Sequence, residues 1–319
     1  MVRWSAERPK RARKSTRSSG LGPQARGIFD RLFGANGGPP PVKTTGKEAI
    51  SIAVASGKGG TGKSFVATNL AVLMHRAGQR VTVVDCDFGL ACDHLLFGVS
   101  PKLTLQHLVS HKASLEEVCI STPAGPSLIP GASGVRRMAD LTDQELLELG
   151  RGLGQAASET DILVLDVGAG IAPQNVMTML CADHIILVTE PEIAALTDAY
   201  AVIKCVAQLR ESIPFSVVVN RVAARGQGQR TYDKLAEVAN RYADVSLGYL
   251  GEIAADPTVT QRRLGQLPIA MTDVESKTTA SLQGILANLE TAVGEFGQRR
   301  VEASVSLEAR FREHRLFLC

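Results

Sequence analysis

Aromatic residues are scarce in this chain: nine Phe, four Tyr and one Trp among 319 residues. Its core must therefore be built mainly from small and branched aliphatic side chains, and the Ala, Val, Leu and Gly content suits closely packed α/β layers. None of the six cysteines (86, 92, 119, 181, 205 and 319) belongs to a CxxC pair. Several lie in apolar runs, where cysteine behaves as a small hydrophobe. A disulfide framework is thereby excluded, and a reducing, cytoplasmic setting is expected. No apolar stretch approaches the ~20 residues of a spanning helix. The basic N-terminus has no apolar segment behind it, so no secretory signal is expected. No internal repeat is visible.

Positive charge is concentrated rather than abundant. The net charge is +3, yet residues 1–19 alone carry seven Lys/Arg against one acid, a local +6 that leaves −3 for the rest. The remainder is no nucleic-acid binder by bulk charge. Apolar residues make up 45%, enough for a sizeable core, and 319 residues fit one large domain or two small ones.

Residues 1–46 read as a basic, flexible tail followed by a Pro/Gly linker, "GGPPPVKTTG" at 37–46. Inside it Ile28, Leu32 and Phe33 fall at helical spacing, so a short docking helix and a frayed segment both remain open. From 47 to 298 strands and helices alternate. Strand candidates are "AISIAVAS", "RVTVVDCD" (80–87), "DILVLDV" (161–167), "DHIILVTE" (183–190), "FSVVVNRV" (215–222) and "VSLGYLGEI" (245–253). Helical patterns separate several of them, at 142–157 and 231–243 among others, and Gly78 ends the first. A last helix over 279–296 places Leu282, Ile285, Leu286, Leu289, Val293 and Phe296 on one side. Near-continuous apolar strands between helices predict an α/β fold, a doubly wound and mostly parallel sheet with helices on both faces.

One stretch carries chemistry. "SGKGGTGKSF" (56–65) follows the first strand and opens the first helix. Gly57, Lys58, Gly59, Gly60, Thr61, Gly62, Lys63 and Ser64 fit GxxxxGK[ST] at every fixed position. Glycines leave the backbone N–H groups free to converge on phosphate oxygens. Lys63 is placed to reach the β- and γ-phosphates of a nucleotide, and the Ser64 hydroxyl to ligate Mg²⁺. Lys58 is not required by this motif, and a plain solvated loop lysine would also explain it.

With Lys58 included, "KGGTGKS" resembles the deviant Walker A loop of the MinD/ParA class of P-loop ATPases. The resemblance spans about residues 48–296 and implies ATP and Mg²⁺ as cofactors and a homodimer bridged by ATP. It implies that Lys63 serves its own nucleotide while Lys58 crosses to that of the other subunit. "VVDCDFGL" (83–90) matches the DxDxG pattern, in which Asp87 would orient the attacking water and Asp85 support the metal and water network. Strand-end aspartates capping a turn are the plainer account. "DILVLDVGAGI" matches Walker B and the switch: Asp166 would hold Mg²⁺ through water, and Gly168 and Gly170 would let the backbone move. By the same resemblance Phe65, Asn220 and Arg221 join the nucleotide contacts, with Asn220 on the adenine edge. A turn asparagine would also explain Asn220.

"SLIPGASGVRRMADLT" (127–142) and "VTEPEIAALTDAYAVIK" (188–204), with "DVGAGI", resemble the FlhG/FleN branch, which limits flagellar number and sets flagellar position. Septum-placing MinD is the near alternative. Departures are Val167 where the branch has threonine, and Cys92 and His94 where asparagine and aspartate are usual. "IAADP" (253–257) keeps Asp256 of a late motif and lacks its proline, and an N-terminal partner motif survives only as "PQARGIF". The family ends in an amphipathic membrane-targeting helix, so residues 299–319 are a candidate contact for an anionic membrane surface. Their apolar positions divide into two stripes, Leu307, Phe311 and Leu318 against Val301, Val305 and Leu316. The expected location is cytoplasmic, with a peripheral place at the inner membrane face left open. A protein partner in the flagellar or division apparatus is expected but unnamed. A rival reading, ParA-type DNA partition, rests on residues 1–19, for which a solvated tail is the plainer account. Iron–sulfur relatives of this fold need shared cysteines, and Cys92 and Cys119 match no such motif.

Overall fold

The computed structural model describes residues 49–132, 141–210, 213–261, 266–294 and 306–314. The expected tail and linker over 1–46 lie outside them. An eight-stranded sheet forms the frame, built from β1 (Ile50–Ala55), β2 (Val81–Cys86), β3 (Ile120–Ser121), β4 (Ser127–Ile129), β5 (Ile162–Val167), β6 (His184–Thr189), β7 (Phe215–Val222) and β8 (Leu247–Ala254). Their spatial order is β3-β4-β2-β5-β1-β6-β7-β8. Only the β3–β4 pair is antiparallel.

Every residue of β1, β2, β5 and β6 is buried, which is why these strands read as unbroken apolar runs. Side-chain alternation sends Ile50, Ile52 and Val54 to one face and Ala53 and Ala55 to the other, each into its own core. On the first face lie α1 (Lys63–Arg76) and α6 (Lys277–Val293). On the second lie α2 (Asp143–Glu159), α3 (Pro173–Cys181), α4 (Ile193–Leu209) and α5 (Gln227–Ala243). The expected doubly wound sheet is therefore present. Gly78 ends α1 as read, at φ +91°, with its N–H on the His75 carbonyl.

At the N-terminus of α2, Thr142 and Glu145 form a reciprocal capping box. Three glycines interrupt this helix, each costing about 1 kcal/mol of helix propensity against alanine. Close approach explains them. A Cβ at Gly152 would sit 2.7 Å from Leu108, one at Gly150 would sit 2.9 Å from the Phe311 ring, and one at Gly154 would sit 2.9 Å from the Glu308 side chain.

The last two contacts belong to α7 (Leu307–His314), inside the segment the sequence sets apart as a tail. Its Leu307 and Phe311 are 1% exposed and join the core of the second face. Arg310 donates to Asp183 Oδ1 at 2.7 Å, while Asp183 Oδ2 accepts from the Ser51 N–H and hydroxyl at 2.9 and 2.8 Å. Burial alone would raise the Asp183 carboxyl, but the Arg310 charge and these donors outweigh it and hold it below its ordinary value. Residues 306–314 are thus packed into the domain. Of the stripe read as a membrane face, Leu307 and Phe311 turn inward; Leu318, Val301, Val305 and Leu316 fall outside the described residues. Among the described residues no helix is long and apolar enough to cross a membrane.

Candidate functional site

The carboxyl ends of β1, β2 and β5 meet at one point, the crevice where parallel α/β sheets hold ligands. Register brings this about. β5 lies between β1 and β2, pairing Val54 with Asp166 on one side and Asp85 with Asp166 on the other. Two acids about 80 residues apart in sequence become neighbours by strand pairing alone.

The glycine loop crosses directly above them. Gly57 lies against the backbone of α4, where a Cβ would meet the Asp198 carbonyl carbon at 2.1 Å. Gly60 and Gly62 have φ of +83° and +91°, and Gly62 caps the start of α1. Ser56 donates its hydroxyl to the Lys58 carbonyl. Asn220 donates from Nδ2 to the Thr61 carbonyl at 2.8 Å and accepts the Arg221 N–H on Oδ1. Its amide thus braces the loop. A Cβ at Gly62 would meet that same amide at 2.3 Å. A Cβ on Gly59 or Gly60 would meet nothing within 4 Å, so the outer surface of the loop is open. That open cradle of backbone fits a phosphate group.

Beneath the loop the polar groups converge. Lys63 Nζ donates to Asp87 Oδ2 at 3.0 Å and to Ser64 Oγ at 3.3 Å, and lies 3.7 Å from Asp166 Oδ2. Ser64 Oγ donates to Asp166 Oδ2 at 2.5 Å. Burial alone would depress the Lys63 ammonium, but the charges of Asp166 and Asp87 outweigh it and raise it above its ordinary value. Burial likewise opposes ionisation of Asp87, yet Lys63 and the Leu90 and Gly89 N–H groups outweigh it and hold that carboxyl below its ordinary value. Asp87 is therefore a charged, partly exposed acid facing the lysine.

Asp85 plays a different part. Its Oδ1 accepts the Asp87 N–H at 3.2 Å and its Oδ2 the Asp93 N–H at 3.0 Å, so it shapes the loop that carries Asp87. Burial, followed by the Asp166 charge, pushes its carboxyl up to about 7. Asp166 is raised by burial against the pull of Lys63. Asp166 Oδ1 is buried with no hydrogen-bond partner. An orphaned carboxylate oxygen beside a serine hydroxyl and a second acid suits Mg²⁺, whose ligands are oxygens.

The switch after β5 touches the loop, with the Gly170 N–H on the Ser56 carbonyl at 2.8 Å. Asn175 donates to the Ala169 carbonyl at 3.0 Å, and its amide lies where a Cβ on Gly168 would be. Val167 is fully buried, paired with Cys86 across the sheet. Cys92 lies beside the cluster, its thiol raised mainly by burial against the opposing pull of the Ser64 hydroxyl. At the rim, Lys58 Nζ donates to Glu192 Oε2 at 2.9 Å, and Arg221, in a left-handed backbone conformation at φ +55°, donates to Glu190 Oε1 at 2.7 Å. Phe65 packs at the edge of the α1 core.

All the site residues read from sequence thus lie in the loop, beneath it or at its rim. Sequence reasoning missed Asp93, Glu190, Glu192 and Asn175. Asp93 was visible as an acid between two departures from the family pattern, but nothing in its spacing placed it beside Asp85 and Asp166.

Residues 52–269 match the family model for the CobQ/CobB/MinD/ParA nucleotide binding domain. Antiactivator FleN of Pseudomonas aeruginosa is 34% identical over 231 residues, 72% of this chain and 82% of that protein. The flagellum site-determining protein YlxH of Helicobacter pylori is 34% identical over 246 residues, 75% of this chain and 83% of that protein. Among solved structures, the septum site-determining protein MinD of Pyrococcus horikoshii, complexed with Mg-ADP, superposes with a TM-score of 0.65 at 25% identity, covering 79% of this chain and 100% of that one.

Proposed function

On the premise that the chain belongs to the CobQ/CobB/MinD/ParA nucleotide-binding family, and so is a P-loop ATPase using ATP and Mg²⁺, we propose that it is a dimeric switch regulating flagellar number and placement. Identity to FleN and YlxH over most of their lengths supports the flagellar assignment. The convergence of Lys63, Ser64, Asp87 and Asp166 beneath one glycine loop carries the enzymatic part.

In this reading the loop N–H groups from Gly57 to Lys63 cradle the phosphates, and Lys63 turns from Asp87 toward them. Ser64 and Asp166, with Asp85 behind them, would hold Mg²⁺, which would supply charge neutralisation at the phosphate oxygens. Asp87, released from Lys63 and held by the Gly89 and Leu90 N–H groups, orients the attacking water. Slow turnover follows, because these groups position the water and few others act on it. Asn220, Arg221 and Phe65 border the nucleotide.

A homodimer bridged by ATP is proposed on the rim. Lys58 is exposed and tied to Glu192 by a solvent-facing pair that is easily exchanged. Leu90, Ile171 and Ile193, in or beside the loops after β2, β5 and β6, are 78%, 51% and 86% exposed. Apolar side chains exposed around an active site suit a facing subunit. A peripheral membrane contact through 299–319 would require Leu307 and Phe311 to leave their seat against α2.

The test is to delete the gene and count flagella and septa in the same cells, with purified protein assayed for ATP turnover. Altered flagellar number with normal septa supports the proposal. Normal flagella with misplaced septa would transfer it to the MinD-type role.

A further inference from the structure

Asp93 has no part in the motifs above, and its position is hard to account for without a ligand. It begins a single helical turn, Asp93–Leu96, directly after the loop that carries Asp87. Its side chain is 0% exposed, and neither carboxylate oxygen has a hydrogen-bond partner. One oxygen from each of Asp85, Asp93 and Asp166 lies within 4.8 Å of the others, and all three residues are fully buried. Placement is not accidental: the Asp93 N–H is held by Asp85 Oδ2, so the same acid that shapes the Asp87 loop also sets Asp93 into the cluster.

The charge balance sharpens the point. Lys63 is the cation that faces this group, and it is already shared between Asp87 and Asp166. Three buried carboxyl groups against one shared ammonium leave the cluster short of positive charge. A buried, unpaired carboxylate is among the costliest groups a protein can carry. A divalent cation relieves it fully, and three carboxylates form a hard oxygen donor set.

We propose that Asp93 is a cation-site acid which, with Asp85 and Asp166, lets this chain hold a divalent metal ion beneath the P-loop in the absence of nucleotide. The inference builds on the Mg²⁺ site proposed above and adds a ligand and a nucleotide-independent affinity to it. Its consequence is an order of binding: the metal is preloaded and the nucleotide meets a site already charged with it.

The experiment uses the full chain without nucleotide, titrated with Mn²⁺ and followed by the EPR signal of the free ion. Thermal unfolding is recorded across a Mg²⁺ series, and binding of a fluorescent ATP analogue is measured on the same samples. The wild type is expected to take up one Mn²⁺ per chain and to rise in Tm with Mg²⁺. Asp93→Asn, similar in size, is expected to weaken Mn²⁺ at least ~10-fold, to raise the metal-free Tm and to shrink the Mg²⁺ increment. Equal Mn²⁺ affinity in wild type and Asp93→Asn overturns the proposal, and so does a wild type that binds no Mn²⁺ without nucleotide. The wild-type arm decides by itself should Asp93→Asn not fold. ATP binding with no nucleotide-free Mn²⁺ sinks this inference and leaves the ATPase reading standing. Mn²⁺ uptake with no ATP binding does the reverse.

Discussion

Lys63 Nζ and Asp87 Oδ2 are joined across 3.0 Å, linking the P-loop lysine to an acid 24 residues further along the chain. Each holds the other charged: Lys63 is raised and Asp87 lowered, both against the effect of burial. One contact thus couples the group that would meet phosphate to the group that would meet water.

Asp87→Ala is therefore expected to cut ATP turnover by about 100-fold or more while leaving nucleotide binding near the wild-type level. Phosphate release and fluorescent-nucleotide titration, run on the same preparation, separate the two effects. Unchanged turnover would remove Asp87 from the mechanism.

Glu192→Ala frees Lys58 without touching the core. ATP-dependent dimer formation, measured by light scattering, is expected to increase, and the gain to fade at high salt as the wild-type pair is screened. Lys58→Ala is expected to abolish the ATP-dependent dimer. A dimer that ignores both substitutions would place the interface elsewhere.

Arg310→Met takes the guanidinium from the part-buried Asp183 carboxylate, which keeps its Ser51 donors, and is expected to cost about 2 kcal/mol, the usual worth of a hydrogen bond to a charged group. The sign with pH follows from the lowered Asp183 carboxyl. Its contribution is fully present above the ordinary aspartate value near 4 and is lost as pH falls through the lowered native value. The stability gap between wild type and variant should be wide at pH 7 and close below pH 4. Urea unfolding at both pH values measures it.

Gly150→Ala opposes two effects. Alanine improves helix propensity by about 1 kcal/mol, but the new Cβ meets the buried Phe311 ring at 2.9 Å. Packing is expected to win, lowering Tm and exposing α7 to protease. If residues 299–319 contact anionic membranes, this variant should also pellet with liposomes more readily than the wild type. Faster pelleting without α7 release would break that connection.

How much of this was legible beforehand varies with the range of the interaction. The loop from Gly57 to Ser64 was readable because a phosphate cradle is made by consecutive residues whose types and spacing are the geometry. Asp85, Asp87 and Asp166 were readable as strand-end acids. The family resemblance gave each a role, but not that Asp85 accepts the Asp87 and Asp93 N–H groups, a fact of three-dimensional placement. The glycines of α2 have their reason only in the packing, with α7 against Gly150 and Gly154 and Leu108 against Gly152.

By itself the amino-acid order determined the alternation of strand and helix, the parallel sheet and the phosphate loop, since each depends on periodicity or on neighbours in the chain. Tertiary structure alone decided that Asp93 would join Asp85 and Asp166, that Asn220 would brace the loop, and that Leu307 and Phe311 would face inward. Those outcomes depend on strand register and helix packing, which bring together residues separated by up to hundreds of positions, and no local pattern encodes such a meeting.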